Sequence, residues 1–201
     1  REREGLRRGK ILYLLLEGNA RNVVAAAEDL GIAHNDVIVL HDADSNTRIN
    51  FADKKIRDYM IRQILTYDRE IGVALVIFDS FSATSSDLSI NDPKIAVVMQ
   101  ELNSALDRPG IPIAYINHCK KGTHANEKRV VNISLGSGTF VGQIRTALTI
   151  SNDDNMPCVR KLTLAKSNRV SAPDPERDYY FLKHGKHAQF VSASKFMKYS
   201  A

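Results

Sequence analysis

The sequence predicts an α/β fold: a mostly parallel sheet flanked by helices, with antiparallel strands in the C-terminal third. Three observations carry that expectation. From Lys10 to Ile116, apolar runs of strand length alternate with segments of helical period, the pattern of strands joined by crossover helices. One of these runs, Val73–Phe78, is continuously apolar, as a strand covered on both faces of a parallel sheet must be. After Arg145 the helical period gives way to four short runs separated by brief links, which favour antiparallel pairing.

Taken in order, Lys10–Leu16 (KILYLLL) reads as the first strand, Val23–Leu30 as a helix and Val37–His41 (VIVLH) as the second strand. Asp53–Tyr67 is predicted helical because Ile56, Met60, Ile64 and Tyr67 recur at three- and four-residue intervals, forming one apolar stripe. Val73–Phe78 is the third strand. Asp92–Leu106 is the next helix, opened by Asp92 as a cap and Pro93 in the first turn, and Ile111–Ile116 is the fourth strand. A helix is expected around Gly138–Arg145. It is followed by strands at Ala147–Ser151, Val159–Ala165, Asp178–Leu182 and Ala188–Val191, the first link being the turn-forming Asn152-Asp153-Asp154-Asn155.

The 201 residues, 43% hydrophobic and 25% charged, suffice for one globular domain spanning 1–201, with no internal repeat or low-complexity tract. No run approaches the roughly 18 apolar residues of a membrane span, and the charged start lacks the apolar core of a secretory signal, so a soluble, intracellular protein is expected. Cys119 and Cys158 form no CxxC pair or zinc spacing, and His184 and His187 have no neighbouring ligands. A net charge of +5 permits a polyanionic partner. Cations gather at the start (Arg1, Arg3, Arg7 and Arg8), in one apparent loop (Lys120, Lys121, Lys128 and Arg129) and in the tail (Lys183, Lys186, Lys195 and Lys198).

The chemistry gathers at strand ends. Ala74–Ser80 (ALVIFDS) delivers Asp79 and Ser80 at the C-terminal end of a buried strand, the end at which open parallel sheets bind ligands. A carboxylate there can hold Mg2+ through water and so position triphosphate oxygens. The first strand ends in Glu17, which is either a base able to polarise an attacking water or the cap of the following helix. The fourth strand ends in Asn117 and His118 and runs into the cationic loop.

In that order, YLLLEGN, ALVIFDS, YINHCKKG, LGSGTFVGQIRTALTI and LAKSNRVSAP resemble the ordered motifs of RecA-like ATPases, and most of all the hexameric replicative helicases of the RepA type found on plasmids and phages. The resemblance covers about Gly5 to Val191. It implies that Glu17 is the catalytic base, Asp79 the Walker B carboxylate that meets the metal, with Ser80 and Asn117 beside the nucleotide, and His118 the sensor of phosphate occupancy. It implies ATP and Mg2+ as cofactors, a homo-oligomeric ring or filament, a cytoplasmic setting, and single-stranded DNA as partner. The DNA would lie along the stretches Thr84–Asp92 and Lys120–Gly136, gripped through its phosphates by Lys120, Lys121, Lys128 and Arg129. Lys166, Arg169 and Arg145 are the candidates for a cation reaching the nucleotide of a neighbouring subunit.

One motif of the resemblance is missing. The phosphate-cradling GxxxxGK[ST] occurs nowhere in the sequence, and in relatives it precedes the strand that here begins at Lys10, so it is expected ahead of Arg1. ATP and Mg2+ would then depend on a P-loop outside these residues. The function expected is the core of an ATP-dependent DNA motor. The alternatives are a RecA-fold module that binds DNA or a partner without hydrolysis, and a recombination-mediator or clock-protein type of ATPase.

Overall fold

In the computed structural model the described residues are 7–41, 49–81, 92–117, 142–152, 159–168, 179–184 and 187–192. The chain divides into two units, Arg1–His118 and Cys119–Ala201.

The first unit is built on four parallel strands: β1 (Lys10–Leu15), β2 (Val37–His41), β3 (Val73–Asp79) and β4 (Ile113–Tyr115). Their order in the sheet is β2-β1-β3-β4. Parallel neighbours require crossovers, which are supplied by three helices: α1 (Ala20–Asp29), α2 (Lys54–Ile71) and α3 (Pro93–Asp107). Each helix begins where its sequence provides a cap. Asn19, Asp53 and Asp92 accept from the backbone NH of Arg21, Lys55 and Lys94 at 2.9, 2.8 and 2.8 Å, and Pro93 fills the first turn of α3. A short 3-10 turn, His34–Asp36, leads into β2.

Register decides which side chains share a face. Tyr13 pairs with Ile77 and Leu15 with Asp79, while Phe78 pairs with both Leu14 and Tyr115. Because side chains alternate, Leu12, Leu14, Val76, Phe78 and Tyr115 point to one face and Ile11, Tyr13, Ile77 and Asp79 to the other. On the first face Phe78 meets Phe51 edge-on at 5.3 Å between ring centroids and stacks on Tyr115 at 5.5 Å, and Phe81 packs against Tyr115 at 4.8 Å. The Tyr115 hydroxyl donates to Asn103 of α3 at 2.9 Å. Arg57 of α2, itself buried, donates to Glu101 of α3 at 2.8 Å and to the Phe51 carbonyl. These contacts fasten α2 and α3 together over that face. Helix α1 lies on the opposite one, where Val23, Ala26 and Leu30 and the strand residues Tyr13, Val37 and Ile77 line an open apolar cleft of about 390 Å³.

Where β1 and β3 begin, the backbones lie too close for a side chain. Gly9 has φ +148°, and a Cβ there would sit 2.7 Å from the Gly72 carbonyl oxygen, which accepts from the Lys10 NH at 2.9 Å. Arg7 clasps the same end, donating to the Pro109 carbonyl and to Asp68, which also accepts from the Val73 NH at 2.8 Å.

The second unit is a meander of antiparallel strands in the order β5 (Thr146–Asn152), β6 (Val159–Ser167), β7 (Tyr179–His184) and β8 (His187–Ser192). Ala147, Val159 and Val191 are buried in it. On the edge strand β5, by contrast, Leu148 and Ile150 are 56% and 69% exposed.

The fold is therefore the α/β class expected, with the parallel and antiparallel parts in the expected order. Several boundaries differ, those of α1, α2 and β4 among them. Helix α1 starts at Ala20, earlier than Val23, because Asn19 offers the cap. Helix α2 runs on to Ile71, since nothing breaks it before Gly72, where φ is 70°. Strand β4 has three residues and not six, although the Ile116 NH still bonds to the Phe78 carbonyl at 2.9 Å. Of the helix expected around Gly138–Arg145, residues 138–141 lie outside the described residues, and β5 already begins at Thr146.

Candidate functional site

The chain leaves β1 for α1 on one face of the sheet and leaves β3 for α3 on the other. Adjacent strands whose connections part in this way open a crevice at their carboxyl ends, the place where open α/β sheets bind ligands. Glu17 follows β1 and Asp79 ends β3, the two strands whose connections part. Pairing continues past the regular strands here. The Leu16 NH bonds to the Asp79 carbonyl at 2.6 Å and the Phe81 NH to the Ile116 carbonyl at 2.8 Å. The edge accordingly presents, in spatial order, His41 from β2, Glu17 after β1, Asp79 from β3 and Asn117 after β4.

Asp79 is half-buried and is joined to Ser80 by a cis peptide bond. Tyr13 donates its hydroxyl to Asp79 Oδ2 at 2.5 Å. Burial pushes the Tyr13 phenol above its ordinary value, and the bond to Asp79 and the charge of that carboxylate push it the same way. Tyr13 therefore stays a donor at neutral pH. Ser80 is fully buried, and Asn117 is half-buried.

Glu17 is exposed, and it is Asn19, not Glu17, that accepts the Arg21 NH at the start of α1. The N-cap of α1 is thus Asn19. Gly18, with φ 101°, turns the chain from strand to helix, and its carbonyl lies 3.3 Å from His41 Nε2.

Tyr13 and His41 are the site-bordering residues that sequence reasoning passed over. The signal for each was present: a single hydroxyl within the aliphatic run KILYLLL, and a histidine closing VIVLH at the same sheet edge.

The second unit holds two of the expected cations. Lys166 donates to the Ile144 carbonyl at 2.7 Å, so its ammonium is engaged within its own unit, just ahead of β5. Arg145 is exposed, and its carbonyl accepts from the Asn168 NH at 2.9 Å. His118, Lys120, Lys121, Lys128, Arg129 and Arg169 lie outside the described residues, as do residues 84–91 of the first stretch assigned to DNA and all of the second, 120–136.

Among the described residues no group of three or more His, Cys, Asp or Glu side chains could hold a metal ion. At the end of β3 the acidic donor is Asp79, with Oδ2 taken by Tyr13 and Oδ1 remaining. That donor set is too small to hold a cation by itself. It fits Mg2+, which keeps its waters and is held by one or two carboxylates together with phosphate oxygens.

No protein-family model matches the chain, and no curated protein sequence matches it significantly. Among solved structures it is similar to the KaiC-like protein PH0186 from the hyperthermophilic archaeon Pyrococcus horikoshii, with a TM-score of 0.58 and 16% identity over 91% of this chain and 76% of that one. The fold is RecA-like. In sequence the likeness is distant, and it speaks for architecture alone. No helix among the described residues is long and apolar enough to cross a membrane.

Proposed function

We propose that this chain is the core of an ATP-dependent motor of the replicative-helicase type, coupling ATP hydrolysis to movement along single-stranded DNA. The observation that carries the reading is the arrangement of Glu17, Asp79 and Asn117 at neighbouring strand ends of a RecA-like sheet, at the point where the connections part. Bound there, Mg2+ and ATP would supply the electrophilic phosphorus and the charge neutralisation that phosphoryl transfer requires.

The residues divide the remaining work. Asp79, held by Tyr13 at Oδ2, would offer Oδ1 to a hydrated Mg2+ and so help to orient the phosphate chain. Glu17 stands exposed on the next strand end and takes a proton from the attacking water. Asn117 and His118 follow β4 and carry the state of the terminal phosphate into the cationic stretch after them. Lys120, Lys121, Lys128 and Arg129 hold DNA phosphates without reading bases, which makes binding salt-sensitive and indifferent to sequence. Arg145, Lys166 and Arg169 are the candidates to reach a neighbouring subunit's nucleotide; Lys166 would first have to release the Ile144 carbonyl. The phosphates also need a cradle of backbone NH groups, and the reading assigns it to a P-loop outside these residues.

The test is ATP turnover by the full natural polypeptide with and without single-stranded DNA. The motor reading expects turnover that DNA stimulates. A RecA-fold module that binds without hydrolysis gives DNA binding and no turnover, and turnover indifferent to DNA points to an ATPase with other partners.

A further inference from the structure

We propose that Tyr13 is a positioning residue for Asp79: its hydroxyl fixes the carboxylate that receives the metal–nucleotide complex, and it sets the affinity of the site for the divalent cation. The inference rests on the reading of Asp79 given above and adds to it the residue that makes the carboxylate competent.

Register places the two groups. Tyr13 lies opposite Ile77 and Leu15 opposite Asp79, so Tyr13 and Asp79 share a face and stand two residues apart along neighbouring strands. Two residues of strand rise about 6.6 Å, a distance that a tyrosine side chain leaning along the strand can span. Its hydroxyl arrives at Asp79 Oδ2 at 2.5 Å.

The rest of the tyrosine is accounted for by packing. Its ring lines the apolar cleft with Ile11, Val23 and Ile77. Phenylalanine would fill that place equally well. The hydroxyl is thus the one part of Tyr13 that the surroundings do not require for burial, and Asp79 is its partner.

The consequence for Asp79 is geometric. A carboxylate at the lip of a crevice can turn about its terminal bond, and each turn changes which oxygen meets the cation's water. A bond to Oδ2 removes that freedom and leaves Oδ1 as the acceptor. Partners of this kind, one step behind a metal-binding group, typically change metal affinity by about 10- to 100-fold when removed.

The experiment is an electron paramagnetic resonance titration of Mn2+ in the presence of a non-hydrolysable ATP analogue, which reads bound cation independently of turnover. It uses the full natural polypeptide and its Tyr13→Phe, Asp79→Asn, double and Tyr59→Phe forms. Tyr59 is an exposed tyrosine of α2 and serves as the control. Tyr13→Phe keeps the ring, and near-ultraviolet circular dichroism with a thermal melt checks that each variant is folded.

The expected result is about a 10-fold loss of Mn2+ affinity in Tyr13→Phe, a loss at least as large in Asp79→Asn, none in Tyr59→Phe, and no further loss when the two site changes are combined. Wild-type affinity in a folded Tyr13→Phe, or additive losses in the double variant, overturns the role of Tyr13 while leaving Asp79 in place. Equal affinity in wild type and Asp79→Asn, or no cation–nucleotide binding by the wild type, overturns the functional reading and this inference with it.

Discussion

The two units solve the problem of burying a sheet in opposite ways. In the parallel unit the strands are covered by helices on both faces, and Leu12, Leu14, Val76 and Phe78 are completely buried. In the antiparallel unit an edge strand leaves Leu148 and Ile150 mostly in water. The difference teaches where geometry can be held to within a fraction of an ångström. Candidate groups at the end of a buried parallel strand inherit their positions from backbone register, as Asp79 does. Those on the meander, such as Lys166 and Arg145, owe theirs to local bonds at the start of β5 and the end of β6.

The sharpest way to break this comparison is truncation on both sides. Phe78→Ala should cost about 3–5 kcal/mol of unfolding free energy, because it empties a site bounded by Phe51 and Tyr115. Ile150→Ala should stay within about 0.5 kcal/mol. Urea denaturation measures both, and equal losses would erase the distinction drawn between the units.

A smaller effect is expected where β1 and β3 begin. Gly9→Ala puts a methyl group against the Gly72 carbonyl at a backbone angle that side chains rarely adopt, and should cost about 1–3 kcal/mol. A melting temperature unchanged from wild type would show that these strands can part without penalty.

At the same end, Asp68 sharpens the comparison through pH. Burial raises its carboxyl, but the Val73 NH and the Arg7 guanidinium outweigh this and leave it below its ordinary value of 3.8. A carboxylate lowered on folding contributes stability that is complete above pH 3.8 and is lost as pH falls through the folded value. Asp68→Asn should therefore lower stability by about 1–2 kcal/mol at pH 7 and flatten the acid limb of a stability–pH curve. The smallest effect is local: Asn19→Ala removes the cap of α1 and should cost about 1 kcal/mol in the same denaturation assay.

Much of the parallel unit was legible in the sequence, because its signals are local. The uninterrupted run Val73–Phe78, the cap and proline at Asp92 and Pro93, and the apolar stripe through Met60 and Ile64 each reflect a single element's own needs. Asp79 at a strand end was legible for the same reason. Other features depend on pairs of elements and left no pattern along the chain. Tyr13 reaches Asp79 through the register of two strands far apart in sequence, and Gly9 is explained by the approach of Gly72. The order β2-β1-β3-β4, which makes the crevice, is likewise a property of pairing that strand-length runs do not state.

The central claim is that the strand ends form a hydrolytic site in which Glu17 activates water beside the Asp79-held cation. Single-turnover ATP hydrolysis by wild type and Glu17→Gln, with nucleotide binding measured alongside, tests it most directly. The account predicts a rate at least about 100-fold lower in Glu17→Gln with nucleotide affinity retained. Hydrolysis that proceeds equally well without the Glu17 carboxylate would contradict it.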